Sequence, residues 1–233
     1  MNSSLILRGR QPIVIALAAC AMIGCSTTPP TIDVSSEAKA TFDGLYPVKN
    51  SRMDEAWALP DMDLSQYSKI MLVGAGIEYR PGGESGRAYY ARSSTHFAVS
   101  EEQKSRFRQV LLEAFFEELG KSERFEVVSE AGPDVLMVKG TVLDVVSYVP
   151  PDQPGQSDIY LSKVGEATLV LEIRDSITEA IFARSVDRRA AESRSMNFTN
   201  SNRVTNRAEV RRVALYWAQI LRGALEEQMG AAG

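Results

Sequence analysis

The side chains best suited to covalent chemistry are two thiols, Cys20 and Cys25, the only cysteines among 233 residues. Both lie in the later part or at the exit of an apolar run, Ile13 to Gly24. Other candidates are sparse. His96 is the only histidine, so no multi-histidine metal site can form and a zinc site would lean on carboxylates. Gly83-Glu84-Ser85-Gly86 misses the G-x-S-x-G pattern of a nucleophile elbow. Ser94, Thr95 and His96 adjoin in sequence, which is not how a nucleophile and its base usually meet. Asp187, Arg188 and Arg189 could build a polar site, but charges clustered on a strand read first as its solvated face. Gly74-Ala75-Gly76 follows an apolar run, yet Tyr79 stands where the third glycine of a dinucleotide loop belongs and no helix opens there. No catalytic constellation and no cofactor motif is present, and the expectation is a non-enzyme.

The segment around the thiols is a leader by composition. Arg8 and Arg10 supply positive charge, Ile13 to Gly24 is apolar or small, and Ser26-Thr27-Thr28-Pro29-Pro30 turns abruptly polar. That is the order of a secretory signal, and the apolar run is shorter than the roughly 20 residues a membrane span needs. The stretch resembles a bacterial lipoprotein signal, whose closing cysteine is acylated and becomes the new N-terminus. Leu17-Ala18-Ala19-Cys20 fits the four-residue pattern better than Met22-Ile23-Gly24-Cys25. Cleavage before Cys25, however, removes the whole apolar run and leaves a soluble tether. Cys25 is therefore the preferred lipidation site and Cys20 the alternative. Two or more acyl chains give stable anchoring where one does not. The resemblance implies attachment to the bilayer, and Ser26 after the cysteine implies the periplasmic face of the cell outer membrane.

Without residues 1–24 the chain loses two of its 26 basic residues and none of its 30 acidic ones, so 24 stand against 30 and the net charge is −6. An acidic domain is unsuited to neutralising phosphates, which argues against nucleic acid as a partner. No cysteine follows Cys25, so no disulfide supports the fold even in oxidising surroundings. The remaining length corresponds to one domain, and the expected division is 1–24 signal, 25–66 tether and docking arm, 67–229 a single periplasmic domain.

The elements follow from periodicity. The Ser/Thr/Pro-rich tether gives way to an arm whose Phe42, Leu45, Tyr46, Trp57 and Leu59 are expected to lie against the domain. Lys69 to Gly74 reads as a buried strand. Tyr79 to Val99 is a long Gly/Arg/Tyr/Ser loop, and loops of that length are usually functional or mobile. Its Tyr79, Arg87, Tyr89, Tyr90 and Arg92 are the candidate partner-binding residues. Ser100 to Gly120 is a helix with a Ser100/Gln103 capping box and an apolar face of Phe107, Val110, Leu111, Ala114, Phe115 and Leu119. Phe116 is expected in the core with Phe115.

Phe125 to Ser129 and Val135 to Val146 read as strands joined by an Ala131-Gly132-Pro133-Asp134 turn, with Gly140 at a bulge or close approach. After a Pro-rich loop near Pro151, Glu166 to Arg174 alternates and Ala180 to Arg189 returns as its hairpin partner. An Asn-rich loop near Asn200 leads to a last helix opened by Asn206 and Glu209, with Trp217 as core anchor. The predicted fold class is α+β: one mostly antiparallel sheet of about five strands with two amphipathic helices on one face. Hairpin reversal after the second strand puts the Gly/Tyr loop at one end of the sheet. The Pro-rich and Asn-rich loops then share the other end with the incoming tether.

In that order, F-D-G-L-Y from Phe42, W-A-L-P-D-M-D-L-S-Q-Y-S-K-I-M-L from Trp57, G-P-D-V-L from Gly132, V-D-R-R from Val186 and Y-W-A from Tyr216 resemble the lipoprotein family filed as domain of unknown function 3313. The resemblance covers most of the mature chain. It implies lipoprotein status and a single α/β domain, and it carries over no catalytic residue. The function expected at this level is an anchored, non-catalytic accessory or adaptor that binds another envelope protein. The alternative is a carrier or sensor of a small lipid or glycan, which would need a cavity between sheet and helices.

Overall fold

A computed structural model of the chain describes residues 28–81, 96–151, 158–192 and 199–230. Four long strands form the centre of the sheet. They are β4 (Lys69–Tyr79), β6 (Val135–Ser147), β8 (Lys163–Asp175) and β9 (Ile181–Glu192). Three short strands, β1 (Thr31–Ile32), β2 (Tyr46–Lys49) and β3 (Glu55–Ala58), extend it on one side, and β5 (Glu126–Val128) closes the other. The eight run in the order β1-β2-β3-β9-β8-β6-β4-β5. A separate two-stranded ribbon pairs β7 (Tyr160–Leu161) with β10 (Thr199–Asn200).

The α+β class is as expected, but the sheet is larger and mixed. Two causes account for the difference. The arm does not merely lie on the domain: β2 pairs with β3 and β3 with β9, so it continues the sheet. Leu45 is fully buried there, whereas Phe42 is 96% exposed, against the expectation that the arm's aromatics would be covered. The second cause is the turn at Gly132. β5 and β6 both pair parallel with β4, on its two sides, so residues 129–134 cross the end of β4 rather than forming a hairpin. Ser176 holds this crossing, donating from its hydroxyl to the Gly132 carbonyl (2.9 Å) and accepting the Gly132 N–H (3.1 Å).

One consequence overturns the predicted placement of loops. Because β6 is parallel to β4, the segments after Tyr79, after Ser147 and after Glu192 all leave from the same end of the sheet. An isolated bridge between Phe97 and Ser147 fixes the return from the first of them at that end. Arg80 and Phe97, which flank the Gly/Tyr loop, therefore stand on the side of the other two, while residues 82–95 lie outside the described residues. β1 runs away from this end, so the incoming N-terminal segment also enters from it.

Two helices cover one face. α1 (Glu101–Leu119) has the predicted capping box, Ser100 accepting the Gln103 N–H and the Gln103 side chain accepting the Ser100 N–H. α2 (Arg203–Gly230) begins three residues before the predicted Asn206 start, because Asn202 caps it by accepting the Val204 and Thr205 N–H groups. Val110, Leu111, Ala114 and Leu119 of α1 are buried, while Phe116 is half exposed, one position off the apolar face. At the end remote from the loops, Ile70, Leu136, Leu171, Leu119, Leu221 and Leu225 form a closed core.

Candidate functional site

At the loop-bearing end the helices and sheet part. Between the first halves of α1 and α2 and the upper ends of β4, β6, β8 and β9 lies a cleft of ≈ 660 Å³. That volume is in the range of small-molecule sites, about 300–1,000 Å³. Its walls are apolar: Phe107 and Val110 from α1, Val145 and Val164 from the sheet, Val210 and Val213 from α2. Trp217, 1% exposed, lies where the cleft meets the closed core.

A β-bulge shapes the sheet wall. Leu143 pairs with Thr168 and the next pair is Val146 with Glu166, so Asp144 and Val145 together oppose the single residue Ala167, one extra residue on β6. Such a bulge breaks alternation and re-aims side chains. Val145 and Val146, adjacent in sequence, are both buried and both line the cleft. Asp144 takes a positive φ of 52°, which Asp tolerates better than most residues. Opposite the bulge, Gly165 lies so close to β6 that a Cβ would stand 2.5 Å from the Val146 carbonyl oxygen. Gly140, expected at a bulge or close approach, instead pairs regularly with Gly74 and Leu171, and a Cβ there would meet only the Leu171 side chain at 3.7 Å; the irregularity is across from it, at Ala75 of β4.

The polar groups split by sheet face. Asp187, expected on the solvated face, is completely buried on the helix side. Its carboxylate accepts the Trp217 indole N–H (2.7 Å), the Arg189 Nε–H (2.7 Å) and the Asp54 backbone N–H (3.1 Å). The Arg189 guanidinium stacks over Tyr216, 3.9 Å from the ring centroid. Arg188, the residue between, points to the uncovered face and joins Glu166 (2.7 Å), Asp144 (2.8 Å) and Thr168 (3.0 Å). Burial would raise the Glu166 carboxyl, but hydrogen bonds from Lys163 and Arg188 more than offset it and lower its pKa to about 2. Arg80, at the foot of the Gly/Tyr loop, donates to the same Asp144 through Nε at 2.7 Å.

Of the sequence-chosen partner residues, Tyr79 lines the cleft, edge-on to Phe107 at 6.2 Å and capped by the Lys104 ammonium at 5.2 Å. Burial pushes its phenol up to about 12. Arg87, Tyr89, Tyr90 and Arg92 lie outside the described residues, as do Cys20 and Cys25. His96 meets the Pro81 carbonyl at 2.9 Å through Nε2. Among the described residues no group of three or more His, Cys, Asp or Glu could hold a metal, and no helix is long and apolar enough to cross a membrane.

The cleft itself was missed by periodicity. The residues that make it are individually ordinary, and β6 sets apolar residues side by side elsewhere too, at Val135 to Val138 and at Val142-Leu143, so Val145-Val146 does not stand out in the sequence.

Comparison with solved structures finds distant likenesses. A PelC dodecamer variant from Paraburkholderia phytofirmans matches at 9% identity and TM-score 0.33, over 69% of this chain and 91% of that one. A putative neuraminyllactose-binding hemagglutinin homolog from Helicobacter pylori matches at 12% and TM-score 0.38, over 72% and 95%. A DUF330 protein from Xanthomonas campestris matches at 14% and TM-score 0.38, over 76% and 95%. No curated protein sequence matches. The family described as protein of unknown function (DUF3313) matches residues 35–221, most of the chain and nearly all of the sheet and helices just described, and the chain belongs to that family.

Proposed function

We propose that this chain is a lipid-anchored, non-catalytic envelope protein whose α+β domain holds an apolar ligand between its sheet and its helices, as a carrier or sensor of a small lipid. The observation that carries the reading is the ≈ 660 Å³ cleft with apolar walls. A solid core at that position would have favoured a pure adaptor. The anchor is the acylated Cys25, with Cys20 as the alternative, and the compartment is the periplasmic face of the outer membrane. Support for the pairing of anchor and cleft comes from topology: the N-terminal segment enters from the end where the cleft lies. From Cys25 to Thr31 is six residues, a reach of at most about 20 Å when extended. An anchored domain would thus hold its cleft close to the bilayer surface.

The adaptor reading keeps one specific support, the gathering of three loop-bearing segments at that same end. Extraction of protein purified from envelopes, followed by mass spectrometry, tests the choice. A stoichiometric amphiphile that is lost in the cleft-filling variant Val210→Trp supports the carrier. A ligand-free protein that instead cross-links to one envelope protein through its loops supports the adaptor.

A further inference from the structure

We infer that the cleft selects an anionic single-chain amphiphile of the fatty-acid class, its carboxylate met at the rim by Arg203. This deepens the proposal that the cleft holds a lipid and rests on it. The charged residues lining the cleft are Arg106, Arg189, Arg203, Arg207 and Arg211 against one acid, Glu166. This is the reverse of the whole mature chain, where acids outnumber bases 30 to 24 once Arg8 and Arg10 are removed. The single acid is itself neutralised by Lys163 and Arg188. Acids just outside the lining pair with four of these arginines, so the net excess is the one cation Arg203 at the edge of an apolar interior, which is complementary to a molecule with a hydrocarbon tail and a single negative head.

The five guanidinium groups are not equivalent. Arg106 pairs with Glu102, Arg207 with Glu113, Arg211 with Glu117, and Arg189 with Asp187. The Arg203 side chain alone has no ion-pair or hydrogen-bond partner among the described residues. It is exposed, at the first residue of α2, beside Val204, which is 78% exposed and also lines the cleft. An unpaired cation at the rim can take a carboxylate without breaking an existing pair. Volume limits the tail. A methylene needs about the room of a water molecule, roughly 30 Å³, so the cleft accepts one long chain and its head rather than two chains.

The test uses the full mature protein held in an amphipathic polymer, with Trp57→Phe leaving Trp217 as the sole tryptophan. Dibromostearate, a quencher that acts at short range, is titrated below its aggregation concentration, and its uncharged methyl ester is titrated in parallel. Saturable quenching of Trp217 by the acid, about tenfold weaker for the ester and for the acid with Arg203→Glu, supports the inference. Equal quenching by acid and ester, unchanged by Arg203→Glu, overturns the choice of an anionic head and leaves the lipid cleft standing. Absence of saturable quenching by either overturns both.

Discussion

The Trp217 indole N–H donates to the Asp187 carboxylate at 2.7 Å, and this bond ties the second helix to the ninth strand at the inner end of the cleft. Both residues are essentially inaccessible, at 1% and 0% exposure. The same carboxylate binds Arg189 and, through the Asp54 backbone N–H, the strand that brings in the N-terminal arm. Three elements distant in sequence therefore meet on one buried anion. A buried charge stripped of a partner is strongly destabilising, by about 3–5 kcal/mol, whereas the intact pair is worth much less.

Asp187→Ala is expected to cost about 3 kcal/mol, since it orphans the buried Trp217 indole N–H and takes an acceptor from the Asp54 backbone N–H and the Arg189 guanidinium. Trp217→Phe should cost about 2–3 kcal/mol through lost packing and the loss of one of the three donors to the Asp187 carboxylate. The double variant should cost less than the sum, with a coupling of about 1–2 kcal/mol. Urea unfolding midpoints of the four proteins measure it, and strict additivity would remove the bond from the account.

Glu166 predicts an acid-side loss of stability. Its folded pKa of about 2 lies below the ordinary 4.5, so its contribution is complete above about pH 4.5 and is lost as the pH falls toward 2. The stability gap between the parent and Glu166→Gln should be widest at pH 7 and should shrink through that window. Denaturation at pH 7, 4 and 3 reads it; a gap independent of pH contradicts the pairing with Lys163 and Arg188.

Gly165→Ala should destabilise by about 1–3 kcal/mol, because the new methyl meets a backbone carbonyl at 2.5 Å that no rotamer change can move. The strain falls on the bulge that points Val145 and Val146 into the cleft, so probe binding there should weaken along with the melting temperature. Gly223→Ala, with open space at its Cβ and a helical position, serves as the contrast and should be neutral or mildly stabilising.

Anchoring is tested by labelling. Cells fed labelled palmitate should incorporate it into the parent and into Cys20→Ser, but not into Cys25→Ser, and only the last should leave the membrane fraction. Label retained by Cys25→Ser and lost from Cys20→Ser would move the anchor to the alternative thiol. No label in the parent would remove the anchor.

Much of this architecture was legible because local chemistry wrote it. The Ser100/Gln103 box, the alternation of Ala167, Leu169, Leu171 and Ile173, and the Trp217 stripe each depend on neighbours a few residues away. What could not be read depends on distant partners. Residues 131–134 have the composition of a hairpin turn, yet β5 is only three residues long and pairs with β4, leaving β6 to pass to the far side. Because of that single crossing, β6 and β9 end on the same side as β4, where the prediction had β4 ending opposite them. Asp187 looked like a surface charge because nothing on its own strand reveals the Trp217 indole waiting 30 residues later. The arm's strands of two and four residues are too short to show alternation.

The most direct test of the central claim is a titration of the purified domain in its full chain with a neutral apolar fluorophore that brightens on leaving water. The account predicts saturable binding of about one probe per chain, abolished or weakened at least tenfold by Val210→Trp while the unfolding midpoint of that variant stays within reach of the parent's. Binding that never saturates, or that is the same in parent and Val210→Trp, would contradict it.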